Sequence, residues 1–277
     1  GITFSILLDT VDVIGITVPI DFLDHLELEK KGESGDMNTL YGLPPGAGLR
    51  QGSPWVMKVE LAMRCLKIDY DLNPVGIMQV WTNAPEGKVP WLVIDGQTIS
   101  GSERILGELE KYSDGTKFPV PEVCDDAHGI LYSRLVEDHL FWLICAAKYL
   151  GPGKTVKVMK AMMPNVPLFV CKLMSPIGEK MMSNRIRVTS LSGLSQDEMK
   201  REAKRDISIL KDRLSSSAFI AGNGLSIYDF SVAAHIASIL HWEFEDWLSE
   251  LLKGTNVFYS YLDRVSEAVG GFEFQME

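Results

Sequence analysis

Hydrophobic and polar positions change their period part-way along the chain. Asn38 to Leu43 (NTLYGL) is a short β-prone run, stopped by Pro44-Pro45 and a glycine-rich loop that ends at Gly52. Ser53 stands before Pro54, which predicts an N-cap with proline at the first helical position. In the following WVMKVELAMRCLK, Val56, Val59, Met63 and Leu66 recur at helical spacing. Lys67 to Leu72 alternates as a strand does. A long loop containing Pro74, Gly76, Pro85 and Gly87 leads into VPWLVID, an apolar run that reads as a buried strand. Asp95-Gly96 predicts a hairpin turn, QTIS its returning strand, and a helix follows from Ser102 to about Tyr112.

That order of elements is the thioredoxin-like arrangement. From about Pro121 onward only helical periods remain. RLVEDHLFWLICAAKYL reads as one long amphipathic helix. SQDEMKREAKRDISILKDRL reads as another, opened by a capping box in which Glu198 follows Ser195 by three positions. The pattern therefore predicts an α/β thioredoxin-like N-terminal domain over residues 37–114, an all-α C-terminal domain over 121–277, and an N-terminal extension over 1–36.

Composition narrows the function classes. The chain has 277 residues, 46% of them hydrophobic, and a formal net charge of −10. A surplus of acids excludes a general nucleic-acid binder, which needs Lys and Arg to neutralise phosphates. No apolar run reaches the roughly eighteen residues of a membrane span. Cys65, Cys124, Cys145 and Cys171 are widely spaced, with no CxxC and no Cys/His cluster suited to zinc, so an intracellular, reduced setting is expected and no metal is assigned. Charge is uneven: the extension is acidic, whereas residues 148–213 are basic. Within that basic stretch the Met-rich segment from Val156 to Met182 can be core filler, the lining of an apolar pocket, or a patch resting on a membrane surface, the last disfavoured by the overall charge.

Four blocks carry a family resemblance: YGLPP…SPWVMKVELAMRCLKIDYDL, GKVPWLVIDGQTISGSERI, EDHLFW and AFIAGNGLSIYDFSVAAHI. In this order they resemble the cytosolic glutathione S-transferase superfamily, and within it the failed-axon-connections and metaxin-like group. The likeness runs from Leu40 to about Arg264 and leaves out residues 1–36. It implies the glutathione transferase fold and glutathione as co-substrate. In such a fold Val89-Pro90 would be a cis bond that turns the Val89 main chain towards the glutathione backbone. Ser102, between a strand and a helix, would receive the γ-glutamyl carboxylate at a positive helix end. The superfamily usually places an acid before this serine, where this chain has Gly101. Ser53 matches the catalytic serine or cysteine: a hydroxyl at a helix N-terminus that hydrogen-bonds the sulfur favours thiolate over thiol. Tyr41 is its rival for the sulfur contact.

Ser226 and Asp229 read as a structural capping box, with Ser226 capping the Asp229 N–H. Glu137, Asp138, His139 and Trp142 read chiefly as a polar helix face against a neighbour, and secondarily as a general-base cluster. Two functions fit. One is a transferase that activates the glutathione thiol for attack on an apolar electrophile. The other is a non-catalytic subunit of the same fold serving as scaffold in a protein or membrane-associated assembly. The apolar runs ITFSILL and VIGITVPI within residues 1–36 point to a homodimer or a larger assembly.

Overall fold

A computed structural model describes residues 38–121 and 123–276, together with three short strands nearer the N-terminus. Those strands, β1 (Ile6–Leu7), β2 (Thr10–Val13) and β3 (Ile16–Pro19), form an antiparallel sheet in chain order, with Val11 opposite Val18. The β-branched residues at Thr10, Val11, Val13, Ile16, Thr17 and Val18 suit strands. The sequence reading had placed no element there.

The second sheet is mixed and has the spatial order β5-β4-β6-β7. Its strands are β4 (Thr39–Gly42), β5 (Asp71–Pro74), β6 (Trp91–Ile94) and β7 (Gln97–Ser100). β4 runs parallel to β5 and antiparallel to β6, and β6 turns into β7 through Asp95-Gly96, both at positive φ. Helices α1 (Pro54–Cys65) and α3 (Ser102–Leu109) cover one face, where Leu40, Leu92 and Ile94 meet Val56, Val59 and Ile105. A short helix α2 (Ile77–Asn83) covers the other, where Val80 meets Val75 and Trp91.

Two local readings need correction here. Strand β5 begins at Asp71 rather than Lys67. Lys67 takes φ 56°, and the Ile68 N–H bonds the Met63 carbonyl at 2.9 Å, so residues 67–70 close α1 before the strand can start. The expected long loop also contains α2. Its Ile77, Val80 and Thr82 are poor helix formers, and the Gly76 N–H donating to the Gln79 Oε1 at 3.2 Å supplies its start. The helix after β7 ends at Leu109, three residues short of Tyr112.

The remainder is helical: α4 (Val123–Arg134), α5 (Phe141–Tyr149), α6 (Lys154–Met162), α7 (Leu168–Ile186), α8 (Gln196–Ser216), α9 (Ile227–Leu240), α10 (Ser249–Leu252) and α11 (Asn256–Ala268). Between α4 and α5 the expected uniform helix widens into a π-helical segment at Leu135–Leu140. Helix α9 is buried along almost its whole length and packs against α1, so one core joins the sheet to the helices. Its start is held by Asp229, whose carboxylate accepts from Ser226 N–H (2.8 Å), Ser226 Oγ (2.7 Å), Ile220 N–H (2.8 Å) and Tyr261 OH (2.9 Å). Ser226 and Asp229 thus form the expected capping box, in which the Ser226 hydroxyl also donates to the Asp229 carboxylate and the Asp229 N–H bonds the Ser226 carbonyl at 3.1 Å. Ser195 and Glu198 form the expected capping box on α8.

Candidate functional site between the sheet and the helices

A cavity of about 660 Å³ lies where α1, β6 and α3 face α5, α6 and α7. That is the size of a small-molecule site. Ser53, Val89, Pro90 and Ser102 all line it, although the chain separates the first from the last by two helices, a strand and a hairpin.

Ser53, Val89 and Ser102 arrive with polar groups uncommitted, whereas the Pro90 carbonyl accepts from the Gly101 N–H at 3.0 Å. Ser53 is buried with extended backbone (φ −117°, ψ 120°) immediately before Pro54. It occupies the N-cap position, yet its hydroxyl makes no cap hydrogen bond, which corrects the sequence expectation. Its N–H is held by the Gln51 Oε1 at 3.2 Å. The hydroxyl is left for the cavity, beside the open N–H end of α1. Val89-Pro90 is cis. Ladder pairing on β6 starts at Trp91, so the Val89 main chain has no partner among the described residues. Ser102 is the first helical residue of α3 and Gly101 its N-cap. The Ser102 N–H therefore has no intrahelical acceptor. Gly101 sits at φ 89°, where a side chain would strain the backbone. That is a local reason for glycine at a place where the superfamily usually carries an acid.

Tyr41 is not brought to the cavity. Its ring stacks on Trp91 (centroids 4.6 Å apart, 7° between planes) within the cluster under α2, on the opposite face of the sheet from α1. Side-chain alternation along β4 explains this, because Leu40 faces α1.

Opposite this polar wall the helices supply an apolar one. Phe141 and Trp142 of α5, Met162 of α6 and Met182 of α7 line it, so two methionines of the Met-rich segment take the pocket-lining reading. Gly52 is what lets Met162 approach: a Cβ there would stand 2.0 Å from the Met162 methyl. Elsewhere α7 exposes Leu168, Phe169 and Leu173.

Charge is concentrated at the seam. Lys58 of α1, buried, pairs with Glu137 of the π segment at 2.7 Å and also with Glu103 of α3. Ser231 of α9 donates to the same Glu137 carboxylate. Burial pushes Glu137 up, but Lys58 and Ser231 outweigh it and hold the carboxyl below its ordinary value. Arg134 lies 3.8 Å from Glu137 and 3.9 Å from Asp138. His139 turns away from the cavity, with its Nδ1 2.7 Å from the Asp206 Oδ2 on α8, so the general-base reading gives way to a helix–helix contact. His235, fully buried against Trp55 and Phe141, is pushed down to about 4 by burial.

Comparison with known proteins agrees with this fold. Residues 54–153 match the family described as glutathione S-transferase N-terminal domain. The isoprene-epoxide–glutathione S-transferase of Rhodococcus sp. (strain AD45) is 23% identical over 245 residues, covering 83% of this chain and 98% of that protein. The β-etherase LigF from Sphingobium sp. strain SYK-6 superposes with a TM-score of 0.59 at 18% identity, over 84% of this chain and 97% of that one. A delta-class glutathione transferase from Nilaparvata lugens superposes at 0.54 and 21% identity, over 84% and 90%. The chain has the glutathione transferase fold.

The cavity divides by chemistry, with a polar wall of hydroxyl and main-chain groups at Ser53, Val89 and Ser102 and an apolar wall from the helices. Ser53, Val89, Pro90 and Ser102, named through the family resemblance, are brought together in this one cavity. Sequence reasoning missed the apolar wall as a set, and with it Lys148 of α5. A single cation inside LFWLICAAKYL was the available signal.

Proposed function

We propose that this protein is a glutathione S-transferase that activates the glutathione thiol for attack on an apolar electrophile. The observation that carries the reading is the coincidence in one cavity of the uncapped Ser53 hydroxyl, the unpaired Val89 main chain and the free N-terminal end of α3 at Ser102. These groups match an extended tripeptide in kind. Val89 offers an N–H and a C=O to its central amide, Ser102 offers donors to its α-carboxylate, and Ser53 offers a hydroxyl to its sulfur. The α1 N-terminus and the Ser53 hydroxyl both favour the anionic sulfur, which keeps the thiolate present at neutral pH. Phe141, Trp142, Met162 and Met182 would hold the electrophile against it and exclude water.

Thermal stabilisation tests this directly. Glutathione at one hundred times its dissociation constant should stabilise the fold by about 2.7 kcal/mol. Millimolar glutathione is expected to raise the melting temperature, and S-methylglutathione to do so as well. A folded protein that shows no shift with either would overturn the reading.

Two finer points belong to the same proposal. The EDHLFW block resembles a helix segment of the failed-axon-connections group, which supports a place in the failed-axon-connections and metaxin-like branch, where a scaffold role is the second reading. Self-association, or docking onto a larger assembly, runs through residues 1–36, whose apolar strands β1–β3 have no counterpart in the four-stranded sheet and its helices.

A further inference from the structure

Thiol activation makes no use of Lys148, which lines the cavity. Lys148 lies near the C-terminal end of α5, after the buried run Leu143–Ala147. Its ammonium donates to the Ser238 carbonyl of α9 at 2.8 Å and stands 3.9 Å from the centroid of the Trp242 ring. Lys148, Ser238 and Trp242 all line the cavity, on the apolar wall. An ammonium has three N–H donors, and the carbonyl accounts for one. No carboxylate forms an ion pair with it among the described residues. A methionine or leucine would pack in the same place without desolvating a charge; the ammonium instead holds a carbonyl of the last turn of α9 and an indole face, with two donors beyond that carbonyl.

Resting on the transferase reading, we propose that Lys148 is the proton donor to the second substrate, and that this substrate is an epoxide with apolar substituents. Thiolate attack on an epoxide carbon forms the C–S bond as the C–O bond breaks, and the electron pair stays on oxygen as an alkoxide. An alkoxide is a far stronger base than chloride or an enolate, so this reaction gains most from an acid held on the apolar wall. The Nζ–H proton passes to that oxygen to give the alcohol. Lys148 becomes a neutral amine and recovers its proton from water, while the thiol proton has already left on ionisation. Glutathione and epoxide thereby give a hydroxyalkyl thioether, with no change of oxidation state in the protein.

The surroundings suit an acid working near neutrality. Burial lowers Lys148 to about 8, against the opposing pull of Asp246 and Cys145. The groups around it from the packed elements are Cys145 and Tyr149 on α5, both pushed up by burial and neutral, and neutral His235 on α9. Arg185 of α7 shares the cavity, Lys154 of α6 lies behind α5 on the Ala147 carbonyl, and Asp246 comes from the segment before α10. An acid close to the working pH is the effective kind.

The test compares two electrophiles on the full chain: styrene oxide, which needs a proton, and 1-chloro-2,4-dinitrobenzene, which releases chloride and does not. A general acid typically supplies about 10²–10⁴-fold. Lys148→Met should therefore lower the ratio of kcat/KM for styrene oxide over the aryl chloride by roughly 100-fold. In the parent, kcat/KM for styrene oxide should fall on the alkaline side through about pH 8, a limb that the aryl chloride lacks. Lys148→Arg, cationic to well above that range, should move the limb up. Should Lys148→Met not fold, the two parental profiles decide alone. A ratio altered by less than about threefold, or the same alkaline limb for both electrophiles, would overturn the inference. A parent that conjugates the aryl chloride but not the epoxide overturns it while the transferase reading stands. Absence of both reactions together with no glutathione binding removes both.

Discussion

Replacing Ser53 by alanine separates two roles that the sequence left superimposed. A serine before Pro54 can cap α1 or address a ligand, and local pattern cannot choose between them. The hydroxyl makes no cap bond, so its loss should cost well under the roughly 1 kcal/mol of a true cap. A hydrogen bond to a charged sulfur is worth about 1.5–3 kcal/mol, so turnover should fall about 10–100-fold. Glutathione affinity should change little, because Val89 and Ser102 remain. Steady-state rates beside melting curves check this, and an alanine variant as active as the parent would remove Ser53 from the mechanism. Tyr41 offers no fallback, since its ring is committed to Trp91 beneath α2. Ser53, Val89, Pro90 and Ser102 could be named from sequence because the family resemblance points to them and each stands at an element boundary that local pattern marks; that they share one cavity took the fold. Lys148 could not be named, because what distinguishes it is its neighbours Ser238 and Trp242, roughly a hundred residues downstream.

Between elements, the Lys58–Glu137 pair ties α1 to the π segment, and Glu103 brings in α3. Breaking a buried pair so that one charge is left uncompensated typically costs about 3–5 kcal/mol. Glu137→Gln keeps the shape but leaves Lys58 its second partner, Glu103, so denaturant unfolding should show a smaller loss than that at neutral pH. The sign of its pH dependence follows from the lowered Glu137 pKa. Stability from the ionised carboxylate is fully present above the ordinary value of 4.5 and is lost as pH falls through the lower native value. The gap between parent and variant should therefore narrow on acidification below 4.5, and a gap that stayed constant would mean the loss is steric. The strands, the Asp95-Gly96 turn and the capping box of α8 were readable because their signals lie within a few residues. The π segment and α2 were not. A π turn leaves the 3–4 spacing of apolar residues nearly intact, and α2 is seven residues long, built partly from β-branched side chains and held by sheet packing.

For the molecule as a whole, the unanswered element is the N-terminal sheet. Three strands of two to four residues make a weak structure by themselves. If residues 1–36 hold copies or partners together, a 37–277 chain should keep its glutathione-dependent melting shift but run as a smaller species in light scattering coupled to size exclusion. An unchanged mass would assign assembly to another face, and the exposed Leu168, Phe169 and Leu173 of α7 would then be the next surface to examine. Among the described residues no helix is long and apolar enough to cross a membrane.

The stacking of Lys148 over Trp242 also makes the cavity optically self-reporting. An indole's excited state has a larger dipole than its ground state, so a full charge 3.9 Å from the ring centroid shifts its emission, and removing that charge shifts it back. Of the six tryptophans, Trp242 has its ring beneath this ammonium, and Trp55 and Trp142 share the same cavity. The protein thus carries an internal dye whose colour follows the protonation of the lysine and the arrival of anything that displaces it. Occupancy of the apolar wall can be followed by fluorescence without a label, even for electrophiles that give no coloured product.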